Sequence, residues 1–320
     1  MMGSREPPMT SSRIAVLRPG ALGDAVLTLP VLQSLKAARP DAHVLVAGSP
    51  VFRLAVECGH ASEWVAFDDA RLLGLFAEGG SCELLKGYDL CIAYGRRADP
   101  LLAASLARSA VGTVVQWPSH PPEGTHVVDH LLGASRTAGF PAASHEPLLP
   151  PRQQWLDEAR AWLTARNVRG SFLALHPGSG GRAKRWPAER FAELASRSAD
   201  PVVWLLGPAE AGDEELREMG ERVGTVAEEL PLSTLAGLLA RCRAYVGNDS
   251  GVTHLAAAVG APTVALFGPT DPATWAPRGK RVVVLGGPGT GGFGTVSVGQ
   301  VNAAIEQVSG PLHRRALSAR

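Results

Sequence analysis

The sequence predicts an α/β protein with two parallel sheets, each covered by helices on both faces. Three observations carry this. Apolar runs of strand length alternate with longer helical patterns from end to end, which is the order that builds parallel βαβ units. A proline-rich break divides the pattern into two similar halves. Several strands run straight into a glycine-containing turn and then a helix.

In the first half, strands are expected at residues 14–17, 43–47, 64–67, 90–93 and 111–116, with helices at 24–38, 99–107 and 127–138. Pro30 falls inside the first helix. Its ring removes a backbone donor, so the helix should kink there or begin its regular part there. The break at 140–152 carries Pro141, Pro147, Pro150 and Pro151 and is expected to be a linker over 141–152. Beyond it, strands are expected at 172–175, 202–206, 244–246, 263–267 and 282–285. The matching helices are 153–166, 188–198, 211–222, 233–242, 251–259 and 298–308. The domains are then 13–140 and 153–320. Residues 1–12, rich in Pro, Ser and Thr and lacking an apolar stretch, read as a disordered leader rather than a secretory signal.

Composition narrows the function classes. A chain of 320 residues with 45% hydrophobic residues has enough apolar side chains for two cores. A net charge of +1 supplies no global field to recruit nucleic acid, although Arg182, Lys184 and Arg185 form a local basic cluster. Cys58, Cys82, Cys91 and Cys242 make neither a CxxC pair nor a metal-ligand spacing. That pattern suits reduced thiols in a cytosol. No uninterrupted apolar run is long enough to span a bilayer. The expected location is therefore cytoplasmic, with room for peripheral attachment at a membrane surface.

Three segments carry the chemistry. The first runs Arg13-Ile14-Ala15-Val16-Leu17-Arg18-Pro19-Gly20-Ala21-Leu22-Gly23-Asp24 into an apolar helix. The second runs Leu173-Ala174-Leu175-His176-Pro177-Gly178-Ser179 and on to Lys184-Arg185-Trp186-Pro187. The third is Val246-Gly247-Asn248-Asp249-Ser250-Gly251-Val252-Thr253-His254-Leu255-Ala256, where Asp249 and Ser250 are suited to cap the helix that follows. Such turns sit at the carboxyl edge of a parallel sheet, where open α/β folds bind ligands. Helix starts there also favour anions.

Read by chemistry alone, Asp24 is either a first-turn helix cap or a general base at the tip of the first strand. Gly20 and Gly23 would let a bulky acceptor approach the backbone. Lys184 is either a solvated loop cation or the countercharge for a diphosphate, with Ser179 beside it. Asp249 suits sugar hydroxyls rather than phosphate, whereas Ser250, Gly251 and Val252 offer N–H groups to an anion. His254 is either a ligand contact or a buried helix histidine. Arg185 is either a further phosphate contact or the partner of a local acid, and Trp186 is expected to pack the helix start rather than stack on adenine.

Other chemistries fit poorly. Gly20-x-x-Gly23 lacks the dinucleotide spacing, and the second strand ends Val46-Ala47-Gly48 without an acid. No lysine sits in a Walker A motif. His126 and His130 share a helix face with Asp129, but no third zinc ligand accompanies them. Neither Ser179 nor Ser250 sits in a nucleophile elbow.

Together with Phe267-Gly268-Pro269-Thr270-Asp271-Pro272, the ordered motifs resemble those of glycosyltransferase family 9, the ADP-heptose:lipopolysaccharide heptosyltransferases. The resemblance spans roughly residues 13–308. It implies a GT-B-like pair of Rossmann-like domains facing a cleft, with the acceptor on the N-terminal side and the nucleotide-sugar donor on the C-terminal side. It implies inverting, metal-independent transfer of a heptose from ADP-L-glycero-D-manno-heptose to a lipopolysaccharide inner-core acceptor, with Asp24 as base and no cofactor. Ser179, Lys184, Asp249, Ser250, Gly251 and His254 would bind the donor, and Gly20 and Gly23 would form the acceptor-side loop. The acceptor would be lipid-linked or an oligosaccharide, met at the inner face of the inner membrane. The alternatives are a same-fold transferase with another donor or acceptor, or a nucleotide-sugar-binding protein without turnover. One departure is the glycine-rich run 286–294, where relatives often carry cysteines; it is expected to be a flexible surface loop.

Overall fold

A computed structural model describes residues 12–310; all but the last residue of the expected leader at 1–12 lies outside the described residues. The chain forms two compact units. The first holds the chain up to Gly20, then Thr28–His120 and Val128–Ser144; the second holds Ala21–Leu27, Pro121–Val127 and the chain from His145 onward.

The first unit is a five-stranded sheet. Its strands are β1 (Arg13–Arg18), β2 (His43–Gly48), β3 (Glu63–Ala66), β4 (Leu90–Gly95) and β5 (Thr113–Pro118). They are ordered β3-β2-β1-β4-β5, all parallel. Ile14, Ala15 and Val16 are fully buried, as expected of a central strand covered on both faces. Helices α1 (Leu22–Ala38), α2 (Phe52–Glu57) and α3 (Pro100–Arg108) connect strands, and α4 (Val127–Thr137) follows β5. Helix α1 already begins at Leu22 and runs through Pro30, so its regular part does not wait for the proline. Pro30 leaves one backbone bond unmade, which a helix of 17 residues tolerates. The six-residue α2, which buries Phe52, Leu54 and Ala55, is too short to show a periodicity in sequence.

The second unit opens with α5 (Gln153–Ala165). It continues through β6 (Leu173–His176), α6 (Ala188–Ser196), β7 (Val202–Leu206), α7 (Glu214–Val223) and β8 (Thr225–Glu228). Then come α8 (Leu232–Arg241), β9 (Ala244–Asn248), α9 (Gly251–Ala258), β10 (Thr263–Phe267), α10 (Pro272–Trp275), β11 (Val282–Gly286) and α11 (Val298–Val308). The six parallel strands are ordered β11-β10-β9-β6-β7-β8. Chain order reverses between β6 and β9. That pair is the switch point, beyond whose carboxyl ends a ligand crevice is expected.

Strand β8 was not expected. It is an edge strand of four residues with Ala227 alone fully buried, so it shows no apolar run. Helix α7 starts at Glu214 rather than 211, because Gly212 takes a φ of +81° and Asp213 caps the helix by accepting the Leu216 N–H. The core packs Trp186 edge-on to Phe191 at 5.0 Å, and Phe191 edge-on to Trp204 at 6.4 Å.

The run 286–294, read as a loop from its glycines, lies largely at the surface and carries short turns. Two short 3-10 turns, Pro288–Thr290 and Gly292–Thr295, form there, with Gly286, Gly287, Gly291 and Gly292 at positive φ. The Phe293 ring packs so closely on Gly268 that a Cβ there would come within 2.3 Å of it.

Candidate functional site

The carboxyl ends of β6 and β9 are joined by Asn248, which is fully buried. Its amide donates to the carbonyls of Pro177 (2.7 Å) and Gly178 (3.2 Å), and its oxygen accepts the Trp186 N–H at 2.9 Å. One side chain therefore shapes the loop that follows β6. The Ser179 hydroxyl donates to the Asp249 carbonyl at 2.9 Å and stitches the same two turns together.

A pocket of about 610 Å³ opens at this switch point, within the second unit. Gly23, Asp24, Ser179, Lys184, Asp249, Ser250, Gly251 and His254 all line it. Gly20 does not line it; it ends the turn after β1 with a φ of +127°. The turn before α1 and the start of α9 meet closely here. A Cβ on Gly251 would lie 2.7 Å from the Gly23 nitrogen, and one on Gly23 would lie 3.3 Å from the Gly251 Cα.

Asp24 accepts the Ala21 N–H at 3.0 Å, a first-turn cap. The cap and the place in the pocket coexist: one carboxylate oxygen makes that bond and the residue still faces the cavity. Lys184 donates to the nearly buried Asp249 carboxylate at 2.7 Å. Arg185, left open between phosphate and a local acid, pairs with acids. It forks onto the Ser179 carbonyl and meets Glu210 at 3.4 Å and Asp213 at 3.3 Å. Trp186 is fully buried and donates to the Val296 carbonyl at 3.1 Å, packing the start of α6.

His254 is buried, and that burial pushes its imidazole down to about 4, against the raising influence of Asp249 and Asp24. It is neutral at pH 7. Ser250 occupies the N-cap of α9 but makes no side-chain cap bond, contrary to the capping expected of it. Its hydroxyl instead lies 3.4 Å from His176 Nδ1 and 3.2 Å from the Thr253 hydroxyl.

Two ionisable lining residues, His176 and Glu210, are given no role by the sequence reading. Glu210 is buried. Burial raises its carboxyl, yet contacts with His176, the Gly207 N–H and Arg185 more than offset this and hold it below the ordinary range. Gly178 makes room for it, since a Cβ there would strike the Glu210 carboxylate at about 2.1 Å. The available signal was positional: Glu210 follows the carboxyl end of β7, next to β6.

The two histidines weighed as a zinc pair serve as hydrogen-bond partners. His126 Nε2 meets the Ala276 carbonyl at 3.0 Å, and His130 Nε2 the Pro118 carbonyl at 2.7 Å. Among the described residues, no group of three His, Cys, Asp or Glu side chains is placed to hold a metal. None of the four cysteines is in a disulfide. No described helix is long and apolar enough to cross a membrane.

The model of glycosyltransferase family 9 (heptosyltransferase) matches residues 105–292, more than half of the chain and most of this pocket. The chain belongs to glycosyltransferase family 9. It is 35% identical over 153 residues to lipopolysaccharide heptosyltransferase 2 of Escherichia coli (strain K12), and the matched segment covers 44% of each protein. The sequence match thus spans less than half the length of that relative. In three dimensions the likeness is broader. A family 9 glycosyltransferase from Veillonella parvula superposes with a TM-score of 0.77 at 22% identity, covering 93% of this chain and 97% of that one. E. coli ADP-heptose LPS heptosyltransferase II gives 0.74 at 20% identity, covering 95% and 99%. At these identities the structures establish the fold, two Rossmann-like α/β units each built on a parallel sheet, as in GT-B-like heptosyltransferase structures.

Proposed function

We propose that this family 9 chain is an inverting, metal-independent heptosyltransferase. Its donor would be ADP-L-glycero-D-manno-heptose and its acceptor the inner core of a lipopolysaccharide precursor, met at the inner face of the membrane. The observation that carries the reading is the assembly in one pocket of a carboxylate suited to be a base, a lysine and a helix start. Relatives named as lipopolysaccharide heptosyltransferases support the choice of donor and acceptor.

In this mechanism Asp24 takes the proton of the acceptor hydroxyl as that oxygen attacks the anomeric carbon. The bond from the anomeric carbon to the diphosphate oxygen breaks on the opposite face, so the configuration inverts. The electron pair leaves with ADP. Lys184 and the backbone N–H groups of Ser250 and Gly251 stabilise the departing charge. Asp249, already paired with Lys184, shares that lysine with the diphosphate and offers its other oxygen to sugar hydroxyls. Neutral His254 contributes a polar wall without adding charge.

The test is transfer by the purified protein from ADP-heptose to a heptose-free acceptor, with ADP release and the anomer of the product both followed. One ADP per product, an inverted linkage and full activity in a chelator are expected. Retention of configuration, or activity lost in chelator and restored by magnesium, would overturn the mechanism. ADP-heptose binding without turnover on any acceptor would favour a non-catalytic binding protein.

A further inference from the structure

Beneath the pocket runs a chain of buried polar groups for which the transfer mechanism has no use. Thr253 donates its proton to the Asn248 carbonyl at 2.5 Å and lies 2.9 Å from the Tyr245 hydroxyl. The Ser250 hydroxyl stands between Thr253 and His176 Nδ1. On the far side of the ring, His176 Nε2 faces the Glu210 carboxylate at 3.6 Å, too far for a full hydrogen bond, and it has no hydrogen-bond partner. His176 and Glu210 are each more than nine-tenths buried, and both line the pocket.

Proton bookkeeping orders this chain. A bare Nε2 lone pair facing a buried carboxylate would set two acceptors against each other. With the proton on Nε2 the contact becomes attractive, and Nδ1 is left as the acceptor for the one Ser250 O–H. Thr253, whose own proton goes to the Asn248 carbonyl, is then a neighbour of that hydroxyl and not its hydrogen-bond partner. The serine hydroxyl is thereby drawn towards the sheet. An N-cap serine ordinarily turns its oxygen onto the N–H groups of its own first turn; here that bond is missing.

We propose that His176 is a positioning residue that keeps Ser250 from capping its own helix, so that the first N–H groups of α9 stay open for a diphosphate. The inference rests on the donor reading above and adds a residue and a means to it. Glu210 biases the ring's proton to Nε2 by electrostatic attraction across 3.6 Å, and Gly178 makes room for Glu210. The ligand class is a nucleoside diphosphate, and ADP is the probe.

The experiment measures ADP affinity by calorimetry in four proteins: wild type, His176→Leu, His176→Gln and the double variant His176→Leu/Ser250→Ala. His176→Leu frees Ser250 to cap, and ADP binding should weaken by about fivefold, the equivalent of one N-cap bond. His176→Gln can still donate to Glu210 and accept from Ser250, and should bind near wild type. The double variant has no hydroxyl left to cap with and should regain most of the lost affinity. A merely structural role gives no such rescue, so a double variant as weak as the single one overturns the proposal. The ¹⁵N spectrum of the His176 ring in the unliganded wild type supplies a second arm that needs neither folding of the variants nor ADP binding. Protonation at Nε2 with a hydrogen-bonded, unprotonated Nδ1 is expected; the opposite tautomer overturns the proposal. If wild type failed to bind ADP, the donor reading would fall while the ring spectrum still decided the tautomer.

Discussion

Lys184 holds its ammonium 2.7 Å from the Asp249 carboxylate, so the one lysine lining the pocket is neutralised by an acid that lines it too. The pair joins the loop after β6 to the turn after β9 across the switch point. On the proposed donor reading, a diphosphate entering the pocket would compete with Asp249 for Lys184, whereas a sugar hydroxyl would find in Asp249 an acceptor already held in place.

That division separates the two variants. Lys184→Gln removes a charge-assisted contact worth about 1.5–3 kcal/mol, so ADP binding should weaken by about ten- to a hundredfold. Asp249→Asn releases the lysine and should leave ADP affinity equal or higher while lowering the affinity for ADP-heptose. Calorimetry with both ligands checks this; equal losses for both in Asp249→Asn would deny Asp249 a role towards the sugar.

Stability should fall in mild acid on account of His254. Its folded value of about 4 lies below the ordinary 6.5. Between those values the unfolded chain binds a proton that the folded protein does not, so stability rises with pH across that window and is complete above it. The contribution lost on going from pH 7 to 4 is about 3 kcal/mol. Urea unfolding of wild type and His254→Gln at pH 7 and 4.5 measures it. The variant should lose less stability than wild type; equal losses would show that burial does not depress this imidazole.

Gly251→Ala tests the close approach of two turns. The added Cβ would lie 2.7 Å from the Gly23 nitrogen and 2.9 Å from the Leu22 side chain, so the start of α9 and the turn carrying Asp24 must separate. Overpacking of this kind costs about 1–3 kcal/mol. Turnover should drop together with the melting temperature, although alanine is a better helix former than glycine. A variant with raised stability and normal turnover would contradict the packing.

Much of this was legible in sequence, for physical reasons. Fully buried parallel strands such as β1 and β9 read as continuous apolar runs, and the glycine turns after them mark the ligand edge. What stayed hidden lacks local contrast. β8 is a short edge strand, α2 is too short for a period, and the glycines of 286–294 conceal the packing of Phe293 on Gly268. At the site, the candidate residues on the motif turns were visible, and all of those candidates but Gly20 line the pocket. Glu210 was not, because its meaning depends on β7 lying beside β6. Ser250 looked like an ordinary cap, because the partner that draws its hydroxyl away is 74 residues distant in sequence.

The proposed role of Asp24 as the base is decided by Asp24→Asn. The amide oxygen can still accept the Ala21 N–H that the carboxylate now accepts at 3.0 Å, so the start of α1 should survive. With turnover, ADP affinity and melting temperature measured on the one variant, binding and melting should be unchanged and turnover reduced by about 10²–10⁴. Near-wild-type turnover would contradict it and leave Asp24 a helix cap; loss of ADP affinity in step with the rate would make it a donor ligand instead.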